Sequence, residues 1–221
     1  YVRPGESIQK AIDTIHQKGG GQVILARGVH RIKQSLSLNS HVMLRGQGPT
    51  STAIMLDRKA NEPLLIGTRI GKVTQDVTIR DLTLNGQQAP SEQRLDGKTP
   101  RDSIRGDTFG IFFTDQSSGN KFERIRIRNI HITRCSMGIH FKGVTDLRIL
   151  DSRIRGNGCL IGYDHNIYFR RARNALLKNL DISDCTAGNG FNLSTDCHNV
   201  IIDNCNASNN NFRGIRFEAK D

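Results

Sequence analysis

Five segments of this chain align without a gap: DVTIRDLTLNG (76–86), RIRIRNIHITRC (124–135), DLRILDSRIRGN (146–157), NALLKNLDISDC (174–185) and NVIIDNCNASNN (199–210). Their second and fourth positions are all aliphatic: Val77/Ile79, Ile125/Ile127, Leu147/Ile149, Ala175/Leu177 and Val200/Ile202. Alternation of that kind marks a strand with one buried face. The sixth position is Asp81, Asn129, Asp151, Asn179 or Asn204. A short polar side chain there tolerates the dihedrals of a tight bend and satisfies backbone groups beside it. Two more alternating positions follow and make a second strand.

A third strand completes each unit: GIFF (110–113), GIHF (138–141), NIYF (166–169), GFNL (190–193) and GIRF (214–217), with starts 28, 28, 24 and 24 residues apart. Such a unit cannot bury its apolar face alone, so neighbouring units must stack. The period predicts an all-β chain: a single-stranded parallel β-helix with three parallel sheets and coils ~4.8 Å apart. Upstream, SIQKAIDTIHQKGGG (7–21) sets Ile8, Ala11, Ile12 and Ile15 at helical spacing behind Ser7 as N-cap. This predicts a capping helix over 7–18 and coils over 22–217, all in one domain spanning 1–221. The last repeat stops at GIRFEAKD in mid-coil, and further coils or a partner are expected after it.

The helix, then GGGQVILARGVHRI, then LSLNSHVMLRGQG, then the Asn-marked coils resemble the right-handed parallel β-helix of the pectin-lyase-like superfamily. That resemblance covers nearly the whole chain. It implies the fold and leaves the function open among lyases, hydrolases, epimerases, tailspikes and adhesins.

In the third strand the Ile and Phe of G-I-x-F face the core, so the intervening residue faces outward. Across successive coils this outward row reads Phe112, His140, Tyr168, Asn192, Arg216, and the next reads Thr114, Lys142, Arg170, Ser194, Glu218. Two insertions, 86–109 and 158–165, interrupt the turn before that strand and should overhang the same sheet; long loops beside a rigid scaffold commonly carry function. The first contains Arg94, Lys98, Arg101 and Arg105; the second ends in Asp164 and His165, at the mouth of the strand. Arg171 and Arg173 fall in the turn after it.

A basic cleft holding His and Tyr suits abstraction of the C5 proton of a uronic acid. Lys142, Arg170 or Arg216 would neutralise the carboxylate, with Asn192 and Arg105 as further substrate contacts. His140, His165 and Tyr168 are the candidate bases and acids. Return of the proton to the opposite face is epimerisation; protonation of the leaving oxygen completes β-elimination. GNGFNLSTDCHNVIIDNCNASNN is similar to coils of the alginate (mannuronan) C5-epimerases, whose motif carries Asp-Pro-His on a β-helix strand. Asp164 and His165 echo it without the proline, and this resemblance adds Asp164 to the candidate catalytic set. It implies a polyuronate such as alginate or pectate.

Two other classes compete. A polygalacturonase-like inverting hydrolase needs two carboxylates ~6.5–9.5 Å apart, and Asp107 and Asp164 each precede a third strand two coils apart. A tailspike or adhesin solenoid would hold an acidic glycan without chemistry. Calcium, bridging a uronate carboxylate to Asp164 or Asp107, is the one cofactor considered; no resident metal site is predicted.

Lys plus Arg number 32 against 21 Asp plus Glu, a net charge of +11, so the partner is expected to be anionic. Aromatic residues are only 5% and no nucleic-acid motif is present, which argues against base stacking and leaves an acidic polysaccharide as the partner. No apolar run approaches 18 residues, so no membrane insertion is expected, and the setting that fits is secreted, periplasmic or cell-surface. Among five irregularly spaced cysteines, Cys135 and Cys159 lie one coil apart and form a candidate disulfide.

Overall fold

In a computed structural model, residues 1–67, 73–114 and 122–218 are described; the closing residues 219–221 of the last repeat lie outside them. The chain opens with one α-helix, Ile8–Gln17, whose N-cap Ser7 accepts a hydrogen bond from the Lys10 N–H. Ile8 and Ile12 are buried against the first coils, so the helix covers strand edges that would otherwise be open.

Among the described residues every strand pair is parallel, and the pairings form three ladders. The first aligns Val23, Leu44, Ile79, Ile127, Ile149, Leu177 and Ile202. The second runs from Gly28–Ile32 through Thr52–Leu56 to Leu84, Ile132 and Ile154. The third aligns Leu36, Leu65, Ile111, Ile139, Ile167, Phe191 and Ile215, the register that the spacing of the third strands predicts. Ile139–Ile154 and Ile167–Asp181 run through two bends as continuous strands and join the ladders.

Inside the third sheet Phe113, Phe141, Phe169 and Phe191 stack in a column with ring centroids 5.2–5.7 Å apart, each wholly buried. Burying each such side chain contributes roughly 1.5–3 kcal/mol. At the far end Ile215 and Phe217 are exposed, because no coil covers that face among the described residues.

Asp81, Asn129, Asp151, Asn179 and Asn204 occupy one bend, all left-handed with φ between 49° and 58°. Their side chains link successive coils: Asn129 Nδ2 donates to Asp81 Oδ1 at 2.7 Å, Asn179 to Asp151 at 2.9 Å and Asn204 to Asn179 at 2.9 Å. These residue types suit the position because their short polar side chains lower the cost of the left-handed conformation. Asn179→Ala should therefore be less stable than Asn179→Gly by about 1 kcal/mol, since both lose the hydrogen bonds but only Ala keeps the steric penalty. Urea midpoints of the two variants measure it; equal midpoints would show that the bend is not under dihedral control.

The candidate disulfide does not form. Cys135 and Cys159 are both free and buried, and burial pushes each thiol up to about 12. They behave as small core residues.

Candidate active site

Phe112, His140, Tyr168, Asn192 and Arg216 stand in register on five consecutive coils of the third sheet. The alternation that buries Ile139 and Phe141 turns His140 outward between them, and the same holds for Tyr168 between Ile167 and Phe169. His140 and Tyr168 are ring neighbours, with centroids 4.7 Å apart and planes at 44°. His165 enters from the loop before the strand and lies nearly parallel to Tyr168 at 6.1 Å. The three predicted acid-base side chains thus form one cluster, with Tyr168 in contact with both imidazoles. Phe112 closes its N-terminal side, 5.1 Å from the His140 ring, and stacks on Phe109 at 4.8 Å.

Two features of that cluster bear on chemistry. Burial, with Arg101, His165 and Lys142 adding like charge, lowers His140 to about 3; burial and Arg216 lower His165 to about 4. Both imidazoles are therefore neutral at neutral pH. His165 Nδ1 accepts the Asn189 N–H at 3.0 Å, so its proton sits on Nε2 and the free edge of the ring is a donor. The Nδ1 of His140 is buried with no hydrogen-bond partner, which is costly unless a ligand or a proton transfer uses the ring.

These histidines also set an acid sensitivity. The unfolded chain takes up protons below the ordinary imidazole value of about 6.5, whereas the folded ring resists until about 4 or 3. Stability is full above that value and falls as pH drops through the interval. Denaturant titrations from pH 7 to pH 4 should show this loss, and a His140→Gln, His165→Gln double variant should flatten it. A slope unchanged in the double variant would assign the acid sensitivity to carboxylates.

Three predicted contacts sit differently from expectation. Asp164 is wholly buried: its carboxylate pairs with the Arg101 guanidinium and accepts the Leu160 N–H at 2.8 Å. Burial raises its carboxyl, and Arg101 and the Leu160 N–H pull it back. With no open oxygen it positions the loop that carries His165. Arg105 donates to the carbonyls of Ala60, Gln87, Asp57 and Gly86 and lies 3.6 Å from Glu92, so it fastens the 86–109 loop to the coils and has little left for a substrate. Asn192 is only 1% exposed and its Oδ1 accepts from Asn189 at 3.3 Å; it supports the floor. Lys142 is partly exposed and Arg170, bonded to Thr195, is exposed at the rim, while Arg216 pairs with Glu218 at 3.1 Å.

The two loops, which were expected only to overhang the same sheet, are joined to each other. Leu95 and Leu160 form a β-bridge, with the Ile161 N–H donating to Leu95 O at 2.9 Å. Arg101 crosses from the first loop to Asp164 in the second and lies over the Phe109 ring at 5.6 Å. Three contributors escaped sequence reasoning: Arg101 as a clasp, the Asn189 N–H, and Gly188. A Cβ on Gly188 would collide with Asp164 O and His165 Nδ1, so glycine there lets the ring seat. The G-N-G run at 188–190 was the available signal.

No group of three or more His, Cys, Asp and Glu side chains is placed to hold a metal among the described residues. Asp107 and Asp164, the candidate calcium ligands and hydrolase pair, both face the Arg101 guanidinium: Arg101 lies 4.0 Å from Asp107 and in contact with Asp164. Asp164, buried and ion-paired, has no oxygen open to such a pair, whereas Asp107 stays half exposed.

The architecture is that of a parallel β-helix, and the right-handed beta helix region family matches residues 97–221, more than half of the chain. The chain belongs to that family. It is similar to Alginate lyase 7 of Azotobacter vinelandii, 28% identical over 221 residues, covering 89% of this chain and 22% of that protein. It is also similar to the mannuronan C5-epimerase AlgE6 of the same organism, 33% identical over 100 residues, 41% of this chain and 11% of that protein. Among solved structures, the A-module of the Azotobacter vinelandii mannuronan C-5 epimerase AlgE4 matches with a TM-score of 0.76 at 24% identity, over 96% of this chain and 56% of that one. The chain thus spans about a fifth or less of the length of these two sequence relatives.

Proposed function

We propose that this β-helix is the catalytic part of an enzyme acting on an acidic polysaccharide, and that it abstracts the C5 proton of a uronate, giving epimerisation or β-elimination. One observation carries the reading: His140 and His165, both held neutral by burial, cluster with Tyr168 beside Lys142, Arg170 and Arg101. The names of the relatives, an alginate lyase and mannuronan C5-epimerases, agree with it.

In this reading the substrate carboxylate lies against Lys142 and Arg170, which draw charge off it and acidify the C5 proton. His140 takes that proton as the ring with an unengaged nitrogen. Burial and neighbouring cations lower its proton affinity; a bound carboxylate beside it favours the protonated form and moves it toward useful basicity. His165 presents Nε2–H as a hydrogen-bond donor to the same substrate. Tyr168, between the two, is the acid. In β-elimination the C5–H electrons form the C4=C5 double bond, the C4–O bond breaks, and the Tyr168 proton goes to the leaving oxygen. In epimerisation the bonds of the chain stay intact and Tyr168 gives its proton to C5 from the opposite face. A polysaccharide substrate also fits action outside the cytoplasm.

Defined alginate and pectate oligomers incubated with the protein decide the reaction. Unsaturated ends in the ultraviolet denote elimination, and a changed C5 configuration by proton NMR without chain shortening denotes epimerisation. New reducing ends without unsaturation would replace the reading with hydrolysis, and binding without any change would make the solenoid a glycan-binding module.

A further inference from the structure

On the face away from the cleft, the bend that carries Asn129, Asp151 and Asn179 forms a concave corner with the second sheet. A groove of about 520 Å³ lies in it, closed at one end by Pro49 and Thr50. That wall is fixed, since Thr83 Oγ1 donates to Pro49 O at 2.8 Å. Along the groove the outward row of the second sheet reads Thr83, His131, Arg153, Asp181 in register on successive coils.

The charges in this groove are unevenly matched. Asp151 is engaged by Arg128 at 3.0 Å, and Asp181 by Arg155 at 3.2 Å, while Asp181 also accepts from Ser183 and Asn206. Arg153 is exposed on the groove wall, yet among the described residues its side chain makes no ion pair or hydrogen bond. Its register neighbour His131 is partly buried, and burial together with the Arg153 charge lowers its proton affinity. An unpaired guanidinium beside an imidazole, walled by side-chain amides, matches a ligand that carries one carboxylate among several hydroxyls.

We propose that this groove is a second saccharide site, remote from the third-sheet cleft, which anchors a uronate unit through its carboxylate on Arg153 and its hydroxyls on Asn129 and Asn179. Its ligand class rests on the acidic-polysaccharide reading; its location does not. A chain gripped here stays with the protein while another segment is processed at the cleft.

Histidine-detected NMR on the whole chain tests it, with alginate and pectate oligomers as acidic probes and mannan oligomers as the neutral one. The groups facing His131 are Arg153, Asp151 and Asp181, with Arg128 and Arg155 behind the carboxylates. A carboxylate arriving at Arg153 should shift the His131 ring signals and raise its titration midpoint. Arg153→Ala, at an exposed position, should weaken that binding roughly 10–100-fold, the worth of a charge-assisted hydrogen bond, and Arg153→Lys should keep part of it. His140→Ala should leave it unchanged. Acidic oligomers that shift only His140 and His165 would overturn the groove site and leave the cleft reading standing. Equal response to mannan oligomers would overturn its acidic selectivity, and no histidine response anywhere would sink both proposals.

Discussion

His140→Ala and Tyr168→Phe should each slow turnover of a polyuronate by roughly 10²–10⁴-fold, the usual worth of a positioned acid or base, with oligomer affinity little changed. The split follows from geometry. Both rings are partly covered within the cluster, whereas in the proposed reading attraction for the polymer would come from Lys142 and Arg170 at the rim. Lys142→Ala should do the reverse and raise KM more than it lowers kcat. Tyr168→Phe keeps the ring that packs between the imidazoles, so its loss reports the hydroxyl and not the packing. Steady-state kinetics paired with direct binding would separate these effects. Normal turnover in both the His140 and the Tyr168 variant would place the chemistry outside this row.

The largest effect on stability should come from Asp164→Ala, about 3–5 kcal/mol, because it strands the Arg101 guanidinium beside a buried site and leaves the Leu160 N–H without its acceptor. Removing both partners, Arg101→Met with Asp164→Ala, should recover part of that loss, since no unpaired charge remains. The lost acceptor for Leu160 keeps the recovery incomplete. Urea unfolding of the two single variants and the double gives the coupling. Additive costs would mean that the two side chains do not act as a pair.

The third-sheet row was legible in the sequence because period-2 alternation fixes which way a strand residue points, and the repeat fixes which residues sit side by side. His140 and Tyr168 needed nothing more. The bend of Asp81, Asn129, Asp151, Asn179 and Asn204 was legible for the same reason. Loops carry no such period. Nothing local distinguishes Arg105, which is fastened to backbone carbonyls, from Arg101, which crosses 63 positions of sequence to reach Asp164. Asp164 carries the same residue type whether it faces a substrate or is sealed under a loop. The Asn189 N–H is invisible in principle, because any residue but proline would supply it. The groove of the second sheet was equally hidden: its signal is the absence of a partner for Arg153, and partners on neighbouring coils appear only once the bends are placed.

The bend stack has a consequence for how such a protein can change. Hydrogen bonds between successive bend side chains, together with the phenylalanine column inside, hold the pitch of the helix by means that do not involve the outward row. An exchange at an outward position therefore alters one station on a fixed ruler without disturbing the spacing of the others. A polymer laid along this sheet meets one side chain per coil, ~4.8 Å after the last. Reaction type can then be respecified one position at a time on an unaltered frame, whereas a change at Asn179 or Phe169 would shift the whole scale.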